Sequence, residues 1–254
     1  MVSCELPGAG AEVLSLGAVR EKNFRIICKV IKEKLFTATQ ESVTILDVGS
    51  STGHFLDVAI SEGLSATGLE PDLCLANETR KRGYDVINGF FPNADGLHGQ
   101  KYDIVIFNDS FEHIPNLPEL LQGIKNHLKA DGVAIINLPT SDGILFKVSF
   151  FLYKIGIKVA FDRLWQKGFA SPHVHFFNLK NLTLLFENSG FKLQYSTPLY
   201  YYTIKGLWKR ISCKSSVIVS LFTWTFLVLL YPLLTFRSDC FMACFKVTAN
   251  SDFL

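Results

Sequence analysis

The sequence predicts an α/β protein, doubly wound and Rossmann-like around a mostly parallel sheet, and two observations carry that reading. Short apolar runs rich in Val and Ile recur from residue 43 to residue 139, and a stretch with apolar residues at helical spacing follows each. The first of these runs ends in a glycine turn, and the second ends in an acidic residue, the arrangement in which such sheets bind nucleosides.

In chain order, EKNFRIICKVIKEKLF (residues 21–36) sets Phe24, Ile27, Val30, Ile31 and Leu35 on one helical face with charges between them. The strand VTILDV comes next, then a helix from His54 to Glu62, the strand LSATGLE, a helix from Asp72 to Arg82, and YDVI. The strand YDIVIFN, a helix from Leu117 to Lys129 and the strand GVAIINLP complete the alternation. Beyond Pro139 the character changes. Residues 144–165, ILFKVSFFLYKIGIKVAFDRLW, form a basic amphipathic stretch carrying Lys147, Lys154, Lys158 and Arg163. HVHFFNLKNLTLLFENSGFKLQY then reads as a strand or loop, a helix from Leu179 to Asn188 and a strand beginning at Phe191.

With 48% hydrophobic and 19% charged residues, the 254-residue chain is neither disordered nor fibrous. Its near-neutral total hides an uneven distribution. Residues 1–142 carry 12 Lys/Arg against 19 Asp/Glu, residues 143–214 carry 11 against 2, and residues 215–254 carry 2 against 2. The 22 residues from Ser215 to Phe236 hold no charge and, as a helix, are long enough for a bilayer core of roughly 30 Å. The opening MVSCELPGAG lacks the pattern of a secretory leader, and the six cysteines show no zinc spacing, so reduced thiols in a cytoplasmic compartment are expected.

ILDVGSSTGHFLDVA places Asp47, Gly49 and Gly53 at a strand-to-helix turn. A dinucleotide site wants G-x-G-x-x-G; here the spacing is G-x-x-x-G, and the Asp47 carboxylate would repel a pyrophosphate. A ligand with a cationic amino group suits that carboxylate. Glu70, at the tip of the second strand, suits two ribose hydroxyls, and in NGFFP either Phe90 or Phe91 could flank an adenine. Asn108, Asp109, Glu112 and His113 cluster after the fourth strand.

These motifs, in this order, resemble class I S-adenosylmethionine-dependent methyltransferases, in a subgroup similar to ubiquinone-pathway O-methyltransferases and bacterial cell-surface methyltransferases. LDVGSSTGHFL is similar to the donor loop, GLEP to the ribose site, FNDSFEHIP to the fourth-strand motif, LKADGVAIINLP to the fifth-strand segment, and HVHFFNLKNL with the later GF to the acceptor side. The resemblance implies a seven-stranded sheet whose last, antiparallel strand is inserted inside it, with S-adenosyl-L-methionine as cofactor. It puts Asp47, Gly49, Ser51, Gly53, Glu70, Phe90, Asn108 and Asp109 at the donor, with Ser51 standing where the family usually has a glycine. His113, His173 and His175 are the candidates for a general base toward a hydroxyl acceptor, though each also reads as a structural histidine. No metal is expected, because these histidines and Glu112 lie far apart in sequence.

The penultimate and last strands are then FKLQYST and CFMACFKV, with the uncharged run between them. A single crossing would part the two strands, whereas a monotopic or re-entrant hairpin broken at Pro232 keeps them together. The resulting organisation is an N-terminal amphipathic region (1–40), a donor-binding core (41–142), an acceptor-side basic region with late strands (143–204), an apolar membrane-associating segment (205–238), and a last strand and tail (239–254). The expected partners are a small-molecule or lipid-linked acceptor and an anionic membrane surface at the cytoplasmic face. For the basic stretch, nucleic acid is the rival partner, and the neighbouring apolar run favours lipid. The expected activity is methyl transfer to a sugar or prenylated ring hydroxyl, with a non-catalytic donor-binding scaffold as the alternative.

Overall fold

The computed structural model describes residues 9–36, 43–200 and 238–248, with isolated residues between 208 and 231. Helix α1 (Ala9–Val30) ends in one wider π turn, Ile31–Leu35. Strand β1 (Thr44–Val48), helix α2 (His54–Ser61), strand β2 (Ser65–Glu70), helix α3 (Leu73–Lys81) and strand β3 (Val86–Asn88) follow. The second half runs β4 (Tyr102–Asn108), α4 (Leu117–His127), β5 (Leu128–Pro139), α5 (Ile144–Lys154), α6 (Val159–Leu164), α7 (Leu179–Glu187), β6 (Phe191–Leu199) and β7 (Cys240–Val247).

The strands form one seven-stranded sheet in the order β3-β2-β1-β4-β5-β7-β6. β1 to β5 pair in parallel, and β7 runs antiparallel to both β5 and β6. Ile104 to Phe107 and Val133 to Ile136 are buried because helices cover both faces, which is why these strands read as continuous apolar runs. On one face, Phe24 and Ile27 of α1 and Ile31 of the π turn pack with Phe55 and Leu56 of α2; on the other, Leu121 and Ile124 of α4 pack with Leu182 and Phe186 of α7. The sequence of connections reverses between β1 and β4, which opens a crevice at the carboxyl ends of those two strands.

The face read on α1 is the one that is buried, although the helix begins earlier than its periodicity indicated. The basic stretch is two helices rather than one, since Gly156 turns the chain at φ 93° between them. Cys28, Cys240 and Cys244 are buried free thiols, whereas the half-buried Cys74 is disulfide-bonded, against the expectation of uniformly reduced cysteines.

Leu199 pairs with Cys240, so the chain leaves the sheet and returns to it at neighbouring positions. Most of the apolar segment assigned to residues 205–238 lies outside the described residues. Among the described residues, no helix is long and apolar enough to cross a membrane.

Candidate functional site

The site is built where β1, β2 and β4 end. After β1 the backbone curls over the tip of β2, with the Gly49 and Ser50 N–H groups donating to the Leu69 carbonyl at 2.8 and 3.1 Å. Gly49 has φ 79°, and a Cβ there would lie 2.9 Å from the Ser110 Cβ, so this turn admits only glycine without displacement. Ser51 adopts φ 49°, the left-handed conformation glycine favours, at a cost of about 1 kcal/mol. Its N–H donates to Glu70 Oε2 at 2.7 Å, which ties the loop to the second strand. Gly53 at the start of α2 offers no side-chain cap to the first-turn N–H groups.

Asp47 is 1% exposed at the end of β1. Its Oδ1 accepts from Asn108 Nδ2 at 3.0 Å. Burial pushes its pKa up to about 7; the Asn108 hydrogen bond pulls the other way, and the Glu70 charge adds to the rise. Glu70 is also buried and raised, chiefly by desolvation. Its two oxygens accept from Ser51 N–H and, at 2.9 Å, from Asp72 N–H, which leaves further lone pairs on the carboxylate for hydroxyl donors. Asp109 sits at φ 51° and meets Arg20 of α1 across the mouth of the crevice at 3.6 Å. Of the two rings after β3, Phe91 packs edge-on against Phe107 in the core, and Phe90 stands 76% exposed.

The histidines divide. His113 and His173 come together with ring centroids 4.7 Å apart. His113 Nδ1 lies 3.0 Å from the Pro172 carbonyl and 3.2 Å from Ser171 Oγ; in the tautomer that donates to the carbonyl, Nε2 presents the lone pair. His173 Nε2 lies 3.8 Å from Glu112 Oε1, yet burial pushes Glu112 well up and His173 down to about 4, so both stay neutral. Glu112 is 2% exposed, and neither carboxylate oxygen has a hydrogen-bond partner. Ligand atoms of Glu112, His113 and His173 lie within 4.8 Å of one another, a set that could hold a divalent cation. Spacing in sequence hid that proximity, because His173 arrives from a loop whose Val174 and His175 N–H groups both donate to the Glu112 carbonyl. His175 is not among the grouped ligand atoms.

Sequence reasoning missed Arg20, which lies just before the predicted helix face, and Asn137, whose Nδ2 donates to Asn108 Oδ1 at 3.2 Å. No local pattern marks either residue.

The raised Asp47 acid has a measurable effect on stability. Between its ordinary value of 3.8 and about 7 the folded chain holds a proton that the unfolded chain lacks, so this group's contribution to stability falls as pH rises through that window. Asp47→Asn should therefore raise the urea midpoint at about pH 8 and change it little at about pH 4. An equal or lower midpoint at the higher pH would contradict the burial argument.

Comparison with known proteins places this geometry. Residues 19–196 match the methyltransferase domain family. The C-methyltransferase NovU of Streptomyces niveus is 26% identical over 154 residues, covering 59% of this chain and 33% of its own, so this chain spans about a third of that relative. A ubiquinone biosynthesis O-methyltransferase of Rickettsia typhi is 25% identical over 218 residues, 80% of this chain and 87% of its own. Among solved structures, a SAM-dependent methyltransferase of Thermotoga maritima, described as a possible histamine N-methyltransferase, superposes with a TM-score of 0.57 at 13% identity and covers 93% of this chain and 94% of its own. A match extending through β1 to β6, on a sheet in which the antiparallel last strand is inserted, makes this chain a member of the methyltransferase domain family, in the class I branch that takes S-adenosylmethionine as cofactor.

Proposed function

We propose that the chain methylates a hydroxyl of a membrane-associated or lipid-linked acceptor, a sugar or a prenylated ring, at the cytoplasmic face of a membrane. The observation that carries the donor half is the placing of two buried carboxylates, Asp47 and Glu70, around a glycine turn too tight for any side chain. Such a pocket fits the chemistry of S-adenosylmethionine. Glu70 retains lone pairs for the ribose hydroxyls, Asp47 serves the ammonium, and Arg20 is the cation that a donor carboxylate requires among three acidic side chains. The exposed Phe90 is the ring available to the adenine.

The donor supplies a methyl group already activated by its sulfonium, so the protein's contribution is orientation and removal of the acceptor proton. His113 fits the second task in the tautomer whose Nδ1–H donates to the Pro172 carbonyl, which leaves Nε2 as the proton acceptor. His173, held neutral beside it, adds no competing positive charge. The Rickettsia typhi relative, an O-methyltransferase by name and matched over most of both chains, supports a hydroxyl acceptor.

The acceptor's association with lipid is supported by α5 and α6. Phe151 is 63% and Val159 79% exposed, with Ile155 and Ile157 between them, and Lys147, Lys154 and Lys158 are interleaved at the surface. This is the chemistry of a helix lying on an anionic bilayer. The pair is fastened to the acceptor side by aromatic contacts, Phe146 to Phe176 at 4.8 Å and Trp165 to Phe176 at 5.3 Å, next to His173. The pairing of Leu199 with Cys240 favours a monotopic excursion of the intervening chain over one crossing.

Three measurements test this reading. Glu70→Ala should weaken binding of S-adenosylhomocysteine by roughly 1–3 kcal/mol in calorimetry, and unchanged affinity would refute the ribose assignment. Methyl-labelled donor with a membrane extract should yield a labelled, lipid-extractable product, and His113→Ala should lower that turnover about 100-fold with donor affinity retained. Absence of transfer at full donor affinity would favour the non-catalytic reading, and loss of transfer on chelation with recovery on adding a divalent cation would assign the histidines to a metal instead. Replacing Lys147, Lys154 and Lys158 with Glu should remove over 100-fold of the affinity for phosphatidylglycerol vesicles, at about 1 kcal/mol per lysine charge, and leave donor binding intact. Equal vesicle binding by both proteins would exclude this surface.

A further inference from the structure

A file of polar side chains, buried except for the half-buried Asn108, crosses the tips of four adjacent strands and ends on Asp47. Cys240 Sγ of β7 donates to Asn137 Oδ1 of β5 at 3.2 Å. Asn137 Nδ2 donates to Asn108 Oδ1 of β4 at 3.2 Å, and Asn108 Nδ2 donates to Asp47 Oδ1 of β1 at 3.0 Å. Asp47, Asn137 and Cys240 are all buried. We propose that Asn137 and Cys240 are positioning residues for donor binding, acting through Asn108 to keep an N–H, rather than a carbonyl, aimed at the Asp47 carboxylate.

A side-chain amide is nearly symmetric in shape, so packing alone does not decide which of its ends, oxygen or nitrogen, faces Asp47. A carboxylate accepts only, and with the Asn108 nitrogen toward Asp47 its oxygen must face Asn137. That oxygen requires the Asn137 nitrogen, which turns the Asn137 oxygen to Cys240, where a thiol proton meets it. Burial pushes the Cys240 thiol well above its ordinary range, so it stays protonated and remains a donor. All three bonds then point the same way. If the file lost its thiol end or its middle amide, Asn108 could turn over, and two oxygens would face each other where Asp47 is shielded from water. The antiparallel insertion of β7 is what brings Cys240 to this row, 103 residues from Asn137 in sequence.

This inference rests on Asp47 serving the donor's ammonium, and the experiment separates the two claims. Calorimetry of S-adenosylhomocysteine binding from about pH 6 to 8 is compared for the wild type, Asp47→Asn, Asn137→Ala, Cys240→Ala and Cys240→Ser. Glu70, the other charged group facing Asp47, is present in all five proteins. Asn137→Ala and Cys240→Ala should each weaken binding about tenfold near pH 7. Because the lost N–H favoured the ionised acid, the pH midpoint for binding should move upward in both. Cys240→Ser, whose hydroxyl also donates, should match the wild type. A wild type insensitive to Asp47→Asn would overturn the ammonium assignment and this inference with it. Sensitivity to Asp47→Asn together with an unmoved midpoint in Cys240→Ala and Asn137→Ala, or no rescue by serine, would overturn the positioning role alone. Should Asn137→Ala not fold, the alanine and serine variants of Cys240 decide the matter.

Discussion

A carboxylate held out of water at the tip of β1 is the constraint around which this molecule is arranged. Asp47 is placed there by parallel pairing on both sides, to Gly68 of β2 and Ile106 of β4, so neither neighbouring strand can withdraw to let solvent in. Desolvation of that group works against the fold unless something compensates, and among the described residues the surroundings supply one hydrogen bond, from Asn108, and no cation in contact. The compensation is incomplete, and the acid is left near neutrality. A ligand that brings its own positive charge to this position supplies the compensation that these side chains do not. The crevice thus favours a cation by being poorly solvated.

The sheet order follows from the same constraint. The reversal between β1 and β4 opens the crevice, and the glycine turn after β1 lets backbone rather than side chain line it. On the far side of the sheet, β7 fills the row between β5 and β6 and carries a polar residue to the end of β5. The acceptor side is assembled by other means. Glu112 and its neighbours bind the backbone of the loop at residues 174–175, and aromatic rings from α5, α6 and that loop interlock. Few of the outward side chains of α5 and α6 are buried, so an apolar, basic surface lies beside the loop that carries His173 and Phe176.

Much of this was legible in the sequence wherever a local period or a fixed spacing carries the information. The strand at residues 240–247 was read to its limits because a strand buried on both faces is nearly all apolar, and Asp47, Gly49 and Glu70 stood at the ends of runs whose periodicity is unambiguous. The break at Gly156 was visible as a residue, but amphipathic spacing continued across it and concealed the turn. What could not be read were meetings of distant residues: Arg20 with Asp109, His173 with Glu112, Cys240 with Asn137. No period relates such residues, and only the order of strands in the sheet determines which tips become neighbours.

The account is tested most directly by a crystal structure of the protein with S-adenosylhomocysteine bound. It predicts the ribose hydroxyls on the Glu70 carboxylate, the ammonium at Asp47, and the Arg20 guanidinium turned from Asp109 toward the ligand's carboxylate. A nucleoside bound elsewhere in the molecule, or in this crevice with its amino acid portion away from Asp47, would contradict it.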